Sequence, residues 1–152
     1  MKQLLFAIIL FVFVPASFAQ KTNPNYDAEL AKKFNADDYG MKKFIFVILK
    51  TGSQKSTDKK FRDDCFASHM KSTNKLIKER KMVIAGPMFK NDNNYRGIFI
   101  LAVDTKDKAK ELLKNDKAIS ENFLEAIYYD WYGSAALAEY LKTADKIWKV
   151  GF

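Results

Sequence analysis

Phe44-Ile45-Phe46-Val47-Ile48-Leu49 is an unbroken apolar run of β-branched, aromatic and aliphatic residues, preceded by Lys42-Lys43 and closed by Thr51-Gly52-Ser53. A short run of this kind between polar and turn-forming residues reads as a strand buried on both faces, here Met41 to Leu49. Past it the period changes. From Asp58 to about Lys81, Phe66, Met70, Thr73 and Ile77 recur at intervals of three and four, with Ser56-Thr57-Asp58 as capping candidates. That spacing predicts a helix. Met82 to Ala85 reads as a short strand closed by Gly86-Pro87, and Asn91 to Asn94 supplies a turn before a strand over Arg96 to Val103. The pair predicts a hairpin with a longer loop. Asp104-Thr105 caps a second helix carrying Ala109, Leu112 and Leu113; Asn115-Asp116 breaks it, and a short turn leads to a fourth strand, Phe123 to Tyr132. Gly133 punctuates its end, and Ser134 can cap a last helix with Leu137, Tyr140, Leu141, Ile147 and Trp148.

The order β-α-β-β-α-β places the chain in the α+β class with a ferredoxin-like arrangement, one antiparallel sheet with helices on one face. The other face needs a cover, and Phe44, Phe46, Phe99 and Tyr128 are large enough to require one. A homodimer joined through that face is the expected solution.

Upstream, Met1-Lys2 precedes an apolar run from Leu4 to Val14, then Pro15 and the small residues Ser17 and Ala19. This is the pattern of a secretory signal peptide. The run is far short of the roughly 20 residues a membrane-crossing helix needs. Cleavage after Ala19 leaves Gln20 first and a chain expected in the periplasm or outside the cell, with no membrane attachment. The expected organisation is a signal peptide over 1–19, a leader over 20–40 with little apolar periodicity, the domain over 41–132 and a C-terminal helix over 133–152.

The chain has 152 residues, is 48% hydrophobic and carries a formal net charge of +8. That suits one globular domain and excludes disorder. A positive surface attracts polyanions. The lysines are nevertheless spread over many segments, and no helix-turn-helix, zinc-finger or RNA-binding signature occurs, so nucleic acid is not an expected partner. Cys65 is the lone cysteine. It cannot form an internal disulfide and reads as a small buried residue on the first helix. One His and one Cys exclude a Cys/His zinc site, and no H-E-x-x-H, G-x-S-x-G, Walker A or G-x-G-x-x-G motif is present. No metal or cofactor is expected.

His69 is the single histidine. At about 100° per residue it falls within the arc of Cys65, Phe66, Thr73, Leu76 and Ile77, so it points toward the sheet. It is either a core histidine or a general base whose tautomer a neighbouring carboxylate fixes. Asp116 is either a turn residue whose carboxylate bonds its own backbone or that partner. Gly86-Pro87 ends a strand, and such a turn can also form a pocket rim. On the last strand Tyr129 and Trp131 share one face, and Tyr128 and Tyr132 the other. These rings serve packing or line a site for a planar ligand, with Tyr129 and Trp131 as the candidates for the latter.

Together the apolar first strand, the helix bearing His69, Ala85-Gly86-Pro87, Gly97-Ile98-Phe99-Ile100-Leu101, Asp104-Thr105 and Asn115-Asp116 resemble the YCII-related family. The ending Tyr132-Gly133-Ser134-Ala135-Ala136-Leu137 is similar to the tail of its exported members. The resemblance implies a dimeric α/β-barrel and a pocket in which His69 and Asp116 lie close together. Lys117 stands where the family usually has proline. Members with known chemistry handle small organic acids and phenol-derived rings, dehydrochlorination among them. The implied function is a cofactor-independent lyase or isomerase working on a small organic acid or aromatic substrate. The competing readings are a small-molecule binding protein without catalysis and an assembly module that docks through its C-terminal helix.

Overall fold

The computed structural model describes residues 23–144 and 146–149. The expected signal peptide lies outside them. Four strands form one antiparallel sheet in the order β2-β3-β1-β4. They are β1 (Met41–Thr51), β2 (Met82–Pro87), β3 (Tyr95–Leu101) and β4 (Leu124–Ser134). With α2 (Lys59–Lys78) between β1 and β2, and α3 (Lys106–Leu113) and α4 (Lys117–Ser120) between β3 and β4, the arrangement is the ferredoxin-like one read from the sequence. The apolar run of β1 is central, flanked by β3 on one side and by β4 along its whole length on the other.

Capping chemistry sets the main helix. Of the three candidates, Asp58 is the N-cap of α2, its carboxylate accepting from the Phe61 amide at 3.1 Å. At the other end Arg80 adopts a left-handed conformation. There the Lys81 amide bonds the Leu76 carbonyl and the Arg80 amide bonds the Ile77 carbonyl, both at 2.9 Å. That pair of bonds is a Schellman stop, and it turns the chain directly into β2.

Strand parity divides the core. Ile45, Val47, Leu49, Phe99, Leu101 and Leu124 face the helices and pack with Leu76, Ala109, Leu113 and Ala118. Phe44, Val83 and Ile100 lie on the opposite face with Phe46, Ile84 and Trp131. Phe99 and Tyr128, expected to need a cover on that second face, belong instead to the helix-side cluster. Alternation along β3 and β4 puts them there, whereas Phe44 and Phe46 sit as expected.

Both chain ends differ from expectation. The leader carries a helix, α1 (Ala28–Phe34), with no buried residue. It has no apolar stripe to betray it and depends on its caps, Asp27 accepting from the Leu30 amide at 2.9 Å and Asn35 left-handed at the far end. The Asp37 carboxylate, which receives the Tyr132 hydroxyl, ties the leader to β4. Downstream, β4 does not stop at Gly133 but pairs through Ser134 with Met41. A Cβ at Gly133 would lie 2.3 Å from the Trp131 ring, so this glycine makes room for the indole rather than for a turn. Ser134 gives no side-chain cap, and the expected helix is replaced by a 3-10 segment, Ala135–Tyr140, and one turn, α5 (Leu141–Ala144). Leu137 and Ala138 of that segment cover the Phe44 end of the second face. Ile147 and Trp148 remain 79% and 55% exposed instead of packing. No helix among the described residues is long and apolar enough to cross a membrane.

Beyond β1 the chain passes very close to the turn before β4. The Gly52 amide donates to the Phe123 carbonyl and the Gln54 amide to that of Asn122, each at 2.9 Å. A Cβ at Gly52 would stand 2.0 Å from the Asn122 carbonyl oxygen. Gly52→Ala is therefore expected to cost about 1–3 kcal/mol by forcing backbone apart. Urea unfolding should show a lower midpoint at unchanged slope, and an unchanged midpoint would disprove the contact.

Candidate functional site

Asp116 follows α3 and begins α4. Its amide closes the α3 end on the Leu113 carbonyl at 3.0 Å, and its own carbonyl receives the Ser120 amide at 2.8 Å. As the N-cap of α4, its Oδ1 accepts from the Ala118 amide at 3.0 Å and the Ile119 amide at 3.4 Å. Lys117 occupies the first helical position, where no amide is needed for the cap. Lysine therefore serves there as proline would. Oδ2 remains, and it lies 2.6 Å from Nδ1 of His69 on α2. Asp116 is 1% exposed, so both oxygens of a buried carboxylate are partnered. Burial pushes the Tyr128 phenol on β4 above its ordinary range, and the Asp116 charge nearby adds to the effect.

The imidazole is held by rings as well as by the carboxylate. Phe99 of β3 stacks on it with centroids 5.8 Å apart at 27°, and Phe66, one turn earlier on α2, meets it edge-on at 6.3 Å. An ionised carboxylate only accepts, so it holds the proton on Nδ1 of the neutral ring. The Nε2 lone pair is left free, and Nε2 has no hydrogen-bond partner among the described residues. His69 lines a cavity of about 320 Å³ between α2 and the β2-β3 strands, whereas Asp116 lies behind it. The cavity is within the range for small-molecule sites. Phe66, Met70, Ile77, Phe99 and Leu124 give it apolar walls, and Thr73, Asn74 and Arg96 add polar groups.

The structure thus brings His69 and Asp116 together, with Gly86 and Pro87 on the same cavity. Gly86 and Pro87 are the last residues of β2, paired with Ile98 and Gly97, rather than a turn after it. Tyr129 and Trp131 do not reach this cavity. They sit on the other face of the sheet, where Trp131 packs on Phe44 at 5.6 Å and Tyr129 on Phe46 at 6.4 Å. The two faces of β4 alternate, and the pair that shares a face with the helices is Tyr128 and Tyr132. Cys65 is buried one turn before His69, and burial pushes its thiol up.

Arg96 was not among the residues expected here. Strand alternation would place it opposite Gly97 and Phe99, away from the helices. The sequence signal is the glycine beside it, since an isolated glycine inside a strand pattern marks a bulge or a close backbone approach.

Comparison with known proteins adds a family. The family model described as YCII-related domain matches residues 44–131, more than half of the chain. No curated protein matches it. Among solved structures, it is similar to 5-chloro-2-hydroxyhydroquinone dehydrochlorinase (TftG) from Burkholderia phenoliruptrix AC1100, in complex with 2,5-dihydroxybenzoquinone. That match has 20% identity and a TM-score of 0.40, covering 57% of this chain and 92% of the other. On the strength of the family match, which covers most of the sheet and both elements that carry His69 and Asp116, this chain belongs to the YCII-related domain family.

Proposed function

We propose that the protein is a cofactor-independent lyase or isomerase in which Nε2 of His69 takes a proton from a small organic acid or aromatic substrate bound in the cavity. Asp116 orients the imidazole and stabilises its protonated form after transfer. The observation that carries this reading is the 2.6 Å contact of Nδ1 with a buried carboxylate, which directs the unpartnered Nε2 lone pair to the cavity side.

The setting we propose is outside the cytoplasm, following from the signal-like residues 1–19, and the working unit we propose is a homodimer. Phe46, Ile48, Ile98 and Ile127 on the second face are only partly covered, and Tyr129 is 46% exposed, because the 3-10 segment reaches only the Phe44 end. A second copy presenting the same face is self-complementary by symmetry. Light scattering should give twice the monomer mass, and Phe46→Glu should return it to the monomer. A monomeric wild-type chain would contradict the dimer.

Proton abstraction is read directly by hydrogen–deuterium exchange at carbon. In D₂O, NMR of a panel of small acids with acidic C–H groups should show enzyme-dependent exchange or product formation. His69→Ala should lower it by about 10²–10⁴-fold while circular dichroism stays unchanged. Unaltered turnover in that variant would sink the proposal. Asp116→Asn keeps an oxygen for the α4 cap but offers an amide donor to Nδ1. It should slow exchange with little loss of binding, and full activity there would remove Asp116 from the mechanism.

A further inference from the structure

Among the described residues the cavity has one formal charge on its lining, and the residue that carries it sits at an irregularity in the strand. Between β1 and β3, Leu49 pairs with Gly97 and Lys50 with Tyr95, so Arg96 is an extra residue with no partner on β1. A bulge of this type changes the direction of one side chain relative to the alternation. Arg96, which regular alternation would send to the far face, therefore lines the cavity with His69. The bulge is held from the β2 side. The Met88 amide bonds the Arg96 carbonyl at 2.9 Å, and a Cβ at Gly97 would stand 2.8 Å from the Gly86 carbonyl oxygen.

Arg96 also lacks an internal counterion. Ion pairs among the described residues engage Lys43, Arg62, Lys81 and Lys106 with nearby carboxylates, but none engages Arg96. Among the described residues no Asp or Glu lines the cavity. Thr73, one turn after His69 on α2, is 7% exposed, and its Oγ1 has no hydrogen-bond partner among the described residues. A buried hydroxyl without a partner is rare, and Thr73 is one of the residues lining the cavity.

We propose that Arg96 is the anion anchor of the site and sets its substrate class: a small carboxylate with an apolar body. The guanidinium takes the carboxylate in its planar fork, the body lies along Phe66, Met70, Phe99 and Leu124, and Thr73 supplies a hydrogen bond to a polar substituent. Held at the rim by its charge, such a molecule presents its carbon skeleton to Nε2 of His69. This deepens the acid–base reading above and rests on it for the chemistry, though not for the binding.

Calorimetric titration of the full chain with benzoate and with its neutral isostere benzamide tests the anchor without any turnover. Benzoate should bind about tenfold to a hundredfold tighter than benzamide, the range of one charge-assisted contact. Arg96→Gln should erase that preference while leaving benzamide affinity and the circular dichroism spectrum unchanged, and Arg96→Lys should restore part of it. Equal binding of the two probes, binding of neither, or a preference that survives in Arg96→Gln would each overturn the proposal. His69→Ala separates the two readings. A carboxylate preference retained there alongside an absence of turnover in wild type sinks the acid–base reading alone. Exchange at carbon that depends on His69 but is indifferent to Arg96→Gln sinks the anchor alone.

Discussion

A single buried carboxylate holds the site together. Asp116 is removed from water, and an unpaired charge there would destabilise the fold by several kcal/mol. Its two oxygens have different duties: Oδ1 closes the start of α4, and Oδ2 holds His69. The first duty makes the second rigid. With Ala118 buried beneath the cap, and with α4 packed on α2 and the end of β4, the carboxylate cannot turn away without uncapping the helix. The imidazole is thereby fixed between Asp116 on one side and the cavity on the other, with Phe99 stacked against its plane. The orientation of the imidazole follows from helix capping.

The sheet supplies the second constraint, because its two faces have different tasks. The helix side carries the main core and the cavity, and the side bearing Phe44, Phe46 and Trp131 is covered only in part by the segment after β4. Parity allots each ring of the last strand to one of them. Tyr128 goes to the helix side near Asp116, and Tyr129 and Trp131 go to the other. Breaks in parity matter as much. The extra residue in β3 brings Arg96, the one Lys or Arg among the described lining residues, to the cavity, where regular alternation would have turned it away.

Much of this was legible in the sequence because hydrophobic period and capping residues are local signals. The run Phe44 to Leu49, the spacing on α2 and Thr105 before α3 each specify an element without help from the rest. His69 could be aimed at the sheet from its helical arc alone. Asp116 presented two readings as alternatives, a turn carboxylate or a histidine partner, and its two oxygens satisfy both at once. What was not legible depended on tertiary context. Nothing local says which face of β4 meets the helices, so Tyr129 and Trp131 could not be assigned. A cap-driven helix such as α1 has no apolar stripe, and the 3-10 segment after Ser134 has the composition of a helix but only a short sheet end to pack on. The bulge at Arg96 needed the register of β1 to reveal it.

The proposed chemistry of the site rests on Asp116 fixing the proton of His69 on Nδ1 and leaving Nε2 bare. Because His69 is the single histidine of the chain, a ¹⁵N spectrum of its imidazole at alkaline pH reads this with no assignment. A protonated, pyrrole-type Nδ1 and a pyridine-type Nε2 are expected in the wild-type protein. The reverse pattern, or averaged shifts typical of a ring exchanging freely between tautomers, would contradict it.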